Sequence, residues 1–123
     1  MVAVNSYTAE HTDALLAEVR LGSKTFVRKT ATYAPVVGDT GKVIEMNLSA
    51  ANDVVISLDA DVDWADGAHL EVTQRGTGVT TILAAMGVTI NSPGGLTDCA
   101  AQYGRMFLDR VGPNEWYLYG DLA

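Results

Sequence analysis

The amino-acid sequence predicts a mostly β protein: an antiparallel sandwich or barrel-like module of about eight or nine short strands, with one short N-terminal helix. Three observations predict it. Apolar and polar residues alternate over short runs, Gly- and Pro-bearing turns separate those runs at near-regular spacing, and nothing beyond residue 22 has the apolar period of a helix. A parallel βαβ arrangement would need helices between its strands, and the sequence supplies none. No tandem repeat at solenoid spacing stands out either.

The helix is expected over residues 8–21. Thr8 can cap its first turn, Glu10 and Asp13 lie near the start, Arg20 lies near the end, and Gly22 suits a left-handed stop. Leu15, Leu16 and Val19 form a narrow apolar stripe with Ala14 beside it. A helix of about 13 residues is marginal alone in water, so this stripe must dock on its own β domain, a sister subunit or a larger assembly. Together with a first strand around Phe26 and Val27 it makes an attachment segment, residues 1–31, ahead of a β module over 32–123.

Within the module, Tyr33-Ala34-Pro35 is a break and Gly38-Asp39-Thr40-Gly41 a turn. Strands are expected over 42–47, 53–58, 69–74, 79–84 and 88–91. Val54 and Ile56 then share one face, as do Leu70 and Val72, with Glu71 and Thr73 on the other. Pro93-Gly94-Gly95 is the sharpest break, and the last runs are 99–103, 106–110 and 116–119, with a hairpin turn at Gly112-Pro113-Asn114. Trp116 and Leu118 face one way, Tyr117 and Tyr119 the other.

A chain of 123 residues with 48% hydrophobic and 19% charged residues has the composition of one folded domain. Eight basic against 15 acidic residues leave a net charge of −7, which disfavours nucleic acid and anionic membrane; it serves solubility alone, the plainer reading, or complements a basic partner surface. The one cysteine, Cys99, lies beside Ala100 and Ala101 and reads as a small buried apolar group. With no signal peptide and no apolar run of membrane-spanning length, synthesis in the cytoplasm is expected.

No residue pattern calls for a cofactor, and none spells an enzyme. His11 and His69 lack a nucleophile motif and read as surface residues. Gly76-Thr77-Gly78 joins two strands instead of opening a helix, so a hairpin turn explains it better than a phosphate loop. Asp59, Asp61 and Asp63 imitate a calcium-loop spacing, but Trp64 stands where glycine must turn the chain and Leu70 where a glutamate must chelate. A looser calcium site on Asp59, Asp61, Asp63 and Asp66 stays open beside the plainer reading, an acidic surface loop anchored by Trp64. Trp64, Tyr117 and Tyr119 are candidates for subunit or glycan contact, against core packing for the tryptophans.

One ordered series goes further. Gly41-Lys42-Val43-Ile44-Glu45-Met46-Asn47, Gly67-Ala68-His69-Leu70-Glu71-Val72, Gln74-Arg75-Gly76-Thr77-Gly78-Val79-Thr80-Thr81-Ile82, Gly87-Val88-Thr89-Ile90-Asn91-Ser92 and Asn114-Glu115-Trp116-Tyr117-Leu118-Tyr119-Gly120-Asp121-Leu122 follow one another. The series resembles a β module of tailed bacteriophages, found in capsid decoration (head-fibre-like) proteins and at tail-fibre ends, and spans residues 32–123. The resemblance implies a virion structural role as a homotrimer on the capsid surface, bound to the major capsid protein. Tail fibres carry such a module behind a long shaft, for which this chain has no room. A tail-tip module that recognises host-surface glycan is the alternative.

Overall fold

The structure, a computed structural model, describes residues 23–123. The expected helix at 8–21, with Leu15, Leu16 and Val19, and His11 lie outside the described residues. Eight strands follow: β1 (Phe26–Lys29), β2 (Val43–Met46), β3 (Asn52–Ile56), β4 (His69–Gln74), β5 (Thr80–Ala84), β6 (Thr89–Asn91), β7 (Arg105–Gly112) and β8 (Glu115–Gly120). Six form one sheet in the order β1-β2-β4-β7-β8-β6, and β3 and β5 form a second. The β-rich class read from the alternation is therefore the class observed.

The pairing is mixed, not antiparallel throughout. β1–β2, β2–β4, β3–β5 and β6–β8 run parallel, whereas β4–β7 and β7–β8 run antiparallel. The physical reason is a coiled path. The chain passes from β2 in the larger sheet to β3 in the smaller, back to β4, and out again to β5. Each return sets a strand parallel to the one a turn earlier, so corners take the place of crossover helices.

This path hides a repeat that composition does not reveal. Val43 pairs with Glu71 in one sheet and Asn52 with Thr80 in the other, the same offset of 28 positions in both. At the corner between them the two coils touch backbone to backbone. The Gly76 and Gly78 N–H groups donate to the carbonyls of Met46 and Leu48, at 3.1 and 3.0 Å. A Cβ on Gly76 would lie 2.1 Å from the Leu48 carbonyl oxygen, and one on Gly78 2.0 Å from that of Ala50. Gly76-Thr77-Gly78 is thus not a hairpin turn but the close contact of stacked coils.

A small polar cluster locks the same corner. The Thr80 hydroxyl donates to Asn52 Oδ1 at 2.8 Å, Asn52 Nδ2 donates to the Ala50 carbonyl at 3.0 Å, and Gln74 Oε1 accepts from the Thr80 N–H at 3.2 Å. All three side chains are buried, and pairing among themselves offsets their loss of water.

The core lies between the sheets. Ile44, Met46, Leu70, Val72, Met106, Leu108, Trp116 and Leu118 enter from the larger sheet, and Val54, Ile56 and Ile82 from the smaller. Each such side chain contributes about 1.5–3 kcal/mol by leaving water. Trp64, on the connection from β3 to β4, is only 5% exposed and packs edge-to-face on Trp116, with ring centroids 5.2 Å apart. Cys99 is buried as expected and donates to the Ala101 carbonyl.

Two boundaries move. Residues 99–103 make no strand: Cys99 forms a single bridge to Leu122, and the chain then turns through Tyr103 at φ 69°. β1 is paired with β2 along its length, and Tyr33 bridges to Val54, so Phe26–Lys29 belongs to the β module and not to an attachment segment ending at residue 31.

Candidate functional site

The alternation that buries Leu70, Leu108 and Leu118 turns their strand neighbours onto the outer face of the six-stranded sheet. Strand register arranges these in three rows. One runs Phe26, Val43, Glu71, Phe107, Tyr119; a second runs His69, Asp109, Tyr117; a third runs Arg28, Glu45, Thr73, Arg105. Phe107 stacks on Tyr119 at 5.3 Å and on His69 at 6.1 Å, while the Arg105 guanidinium sits 5.8 Å from the Phe26 ring. Phe26, Tyr117 and Tyr119 remain 50%, 52% and 40% exposed. Exposed rings grouped on one face in this way, Tyr119 among them fixed by stacking on Phe107, make this face the candidate contact surface.

Charges hold the rings in place. Glu71, nearly buried, accepts from Lys24 Nζ at 2.6 Å, from Arg105 Nη1 at 3.1 Å and from His69 Nε2 at 3.3 Å. Burial is the largest single influence on Glu71 and pushes its carboxyl up, but Lys24, His69 and Arg105 together hold it below the usual carboxylate range. His69 Nδ1 pairs with Asp109, whose second oxygen accepts from the Tyr119 hydroxyl at 3.0 Å. Burial, then that hydrogen bond and the charges of Asp109 and Glu71, raise the Tyr119 hydroxyl above the ordinary tyrosine value. His69 is therefore no isolated surface residue. A carboxylate orients it as in a triad, yet its second nitrogen faces Glu71 where a triad places a nucleophile, so the pair positions rings.

The acidic loop resolves differently. Arg110 donates to both oxygens of Asp59, at 3.4 and 2.7 Å, and to Asp66 at 2.8 Å. Asp59 also accepts the Asn114 N–H at 2.9 Å and returns its own N–H to Asn114 Oδ1 at 2.7 Å, tying the loop to the β7–β8 turn. The Arg110 hydrogen bonds, opposed by burial and aided by Asn114, hold the Asp59 carboxyl below its usual range. Asp61 and Asp63 point away into solvent. Among the described residues no group of three His, Cys, Asp or Glu side chains could hold a metal ion, so Asp59, Asp61, Asp63 and Asp66 do not form the calcium site considered above. An arginine takes the place of the cation.

Of the aromatic candidates, Tyr117 and Tyr119 lie on the outer face and Trp64 does not. Its indole is core, which removes it from any subunit or glycan contact. Sequence reasoning missed Phe107, His69 and Phe26 as parts of the face. Period-two alternation through residues 105–109 does put Phe107 outward, but only the strand order brings it between His69 and Tyr119.

Both lowered carboxylates predict acid sensitivity. A group whose pKa is depressed by folding contributes stability that is present above its unfolded value, about 4, and is lost as pH falls through the folded value. Urea midpoints should therefore be flat near neutrality and fall below about pH 4.5, and Glu71→Gln should flatten part of that fall. A midpoint constant down to pH 3 would contradict it.

No helix among the described residues is long and apolar enough to cross a membrane. Compared with known protein families, curated proteins and solved structures, the chain matches none.

Proposed function

We propose that this chain is a structural protein of a phage particle, a capsid decoration protein of the head-fibre kind, which binds the outside of the shell as a homotrimer and stabilises it. The observation that carries the docking half of this reading is the outer face, where Phe26, Tyr117 and Tyr119 stay exposed on a frame of paired charges. The phage setting rests on the ordered sequence series alone. The strand edges fit contact through the face better than through edge pairing: β1 and β6 are four and three residues long, and β1 carries Arg28 and Lys29. With a net charge of −7, the complementary partner surface on the major capsid protein is a basic one. Binding only the assembled shell stabilises it by mass action.

The test is light scattering on the pure protein followed by co-sedimentation with empty shells. A trimer that pellets with shells is expected, and Tyr117→Asp together with Tyr119→Asp should abolish pelleting with a melting temperature close to that of the parent. A monomer that stays in the supernatant would sink the proposal. The alternative, a tail-tip receptor-binding module for host glycan, loses Trp64 as a stacking residue and keeps only Tyr117 and Tyr119 from the sequence reading.

A further inference from the structure

The coil corner that brings Gly76 against Leu48 also opens a cleft, at the end of the sheet where β1, β2 and β4 finish and β7 begins. It encloses about 400 Å³, and its rim shares only Arg28 with the outer face and none of that face's rings. We propose that this cleft binds a saccharide unit that carries a carboxylate, with Tyr103 as the stacking platform. The inference goes beyond shell docking and does not depend on it.

Three features of the lining fit that chemistry. Asn47, Ser49, Thr77 and Gln102 are short polar side chains that both donate and accept, which suits the paired needs of sugar hydroxyls. Gln102 is already oriented, since its Nε2 donates to the Arg75 carbonyl at 3.0 Å. Arg28 and Arg75 share one carboxylate, Glu45, at 3.2 and 3.6 Å, so two guanidiniums face a single negative charge. The cleft thus carries positive charge in a protein that is acidic overall, and a guanidinium receives a carboxylate through two parallel hydrogen bonds.

Tyr103 supplies the third feature. Its ring is 70% exposed at the rim, and its backbone sits at φ 69°, a left-handed conformation that tyrosine rarely adopts. The Tyr103 N–H donates to the Gln74 carbonyl at 2.6 Å and the Gly104 N–H to that of Ala101 at 3.0 Å, which holds the turn in place. Glycine or asparagine would fit this position without strain, so the exposed ring is kept against local preference, as happens where a ring faces a ligand. A phosphate is the weaker occupant. The N–H groups of Gly76 and Gly78, which a phosphate loop would aim at its ligand, are spent on Met46 and Leu48.

The experiment is an amide-resolved NMR titration of the full chain with trigalacturonate, with its carboxyl-reduced neutral counterpart, and with inorganic phosphate. Trigalacturonate should shift the amides of residues 75–77 and 102–103, with the neutral sugar several-fold weaker. Tyr103→Gly and Tyr103→Asn should each weaken binding about tenfold or more, a loss of about 1.4 kcal/mol, while the melting temperature stays level or rises. Arg75→Gln should erase the preference for the acidic sugar, and Met86→Ala, at an exposed residue outside the cleft, should leave binding unchanged. The proposal is overturned if no cleft amide moves with either sugar at about 10 mM, a concentration that reveals even a millimolar site. It is equally overturned if phosphate alone reproduces the shifts, or if both Tyr103 variants bind as the parent does.

Discussion

Gly78→Ala is expected to cost about 3 kcal/mol or more and to leave little folded protein at 37 °C, although it adds one methyl group. The added carbon would stand 2.0 Å from the Ala50 carbonyl oxygen and 2.4 Å from its carbon, and neither atom is at the end of a side chain that could swing aside. Relief requires the two coils to part. That would break the Gly78 to Leu48 hydrogen bond and disturb the buried Asn52, Thr80 and Gln74 cluster beside it. Gly76→Ala should behave alike, since its Cβ would meet Leu48 at 2.1 Å. Gly38→Ala is the control: it has open space and no left-handed backbone, so its effect should stay within about 1 kcal/mol in either direction. Urea unfolding of the three variants is the measurement. A Gly78→Ala protein that unfolds at the parent's midpoint would show that the coils do not stack as described.

Trp64→Ala is the second large effect, about 3–5 kcal/mol of lost stability. The indole fills the space between the sheets, edge-on to Trp116, and its removal leaves a hole lined by a core that cannot close over it. Trp64→Phe should cost much less. Among the described residues the buried Nε1 of Trp64 and that of Trp116 have no hydrogen-bond partner, so losing one donor partly compensates for lost contact. A double-mutant cycle between the two tryptophans should return a coupling of about 0.5–1.5 kcal/mol for the edge-to-face pair. The same variants separate core from contact surface. If Trp64→Ala instead folded at parental stability and failed only to bind a partner, its assignment to the core would be wrong.

Sequence alone was enough for the β class, because period-two alternation is a local property of each strand. It put Leu70 and Val72 on one face and Trp116 and Leu118 on another before any pairing was known, and the core contains all four. Cys99 was legible for the same reason, from its small apolar neighbours. Alternation does not say which strand lies beside which, or in what direction. An antiparallel sandwich and a coil of parallel strands have the same pattern of in and out, so the mixed pairing could not be read from it.

Tertiary structure decided what the polar residues do. Asp59 and Asp66 read as a loop cluster until β7 brought Arg110 against them. Glu71 looked solvent-facing until Lys24, His69 and Arg105 closed over it, and the lone His69 became the link between two carboxylates. Gly76 and Gly78 looked like turn residues because nothing local shows that Leu48 and Ala50 pass within contact. The physical division is plain. Burial of apolar side chains follows from neighbours two positions away, but ion pairs, ring stacks and backbone contacts join residues tens of positions apart. That is why the mostly β character stood on the sequence, while the outer aromatic face and the cleft beside Tyr103 appeared only when the chain was coiled into two sheets.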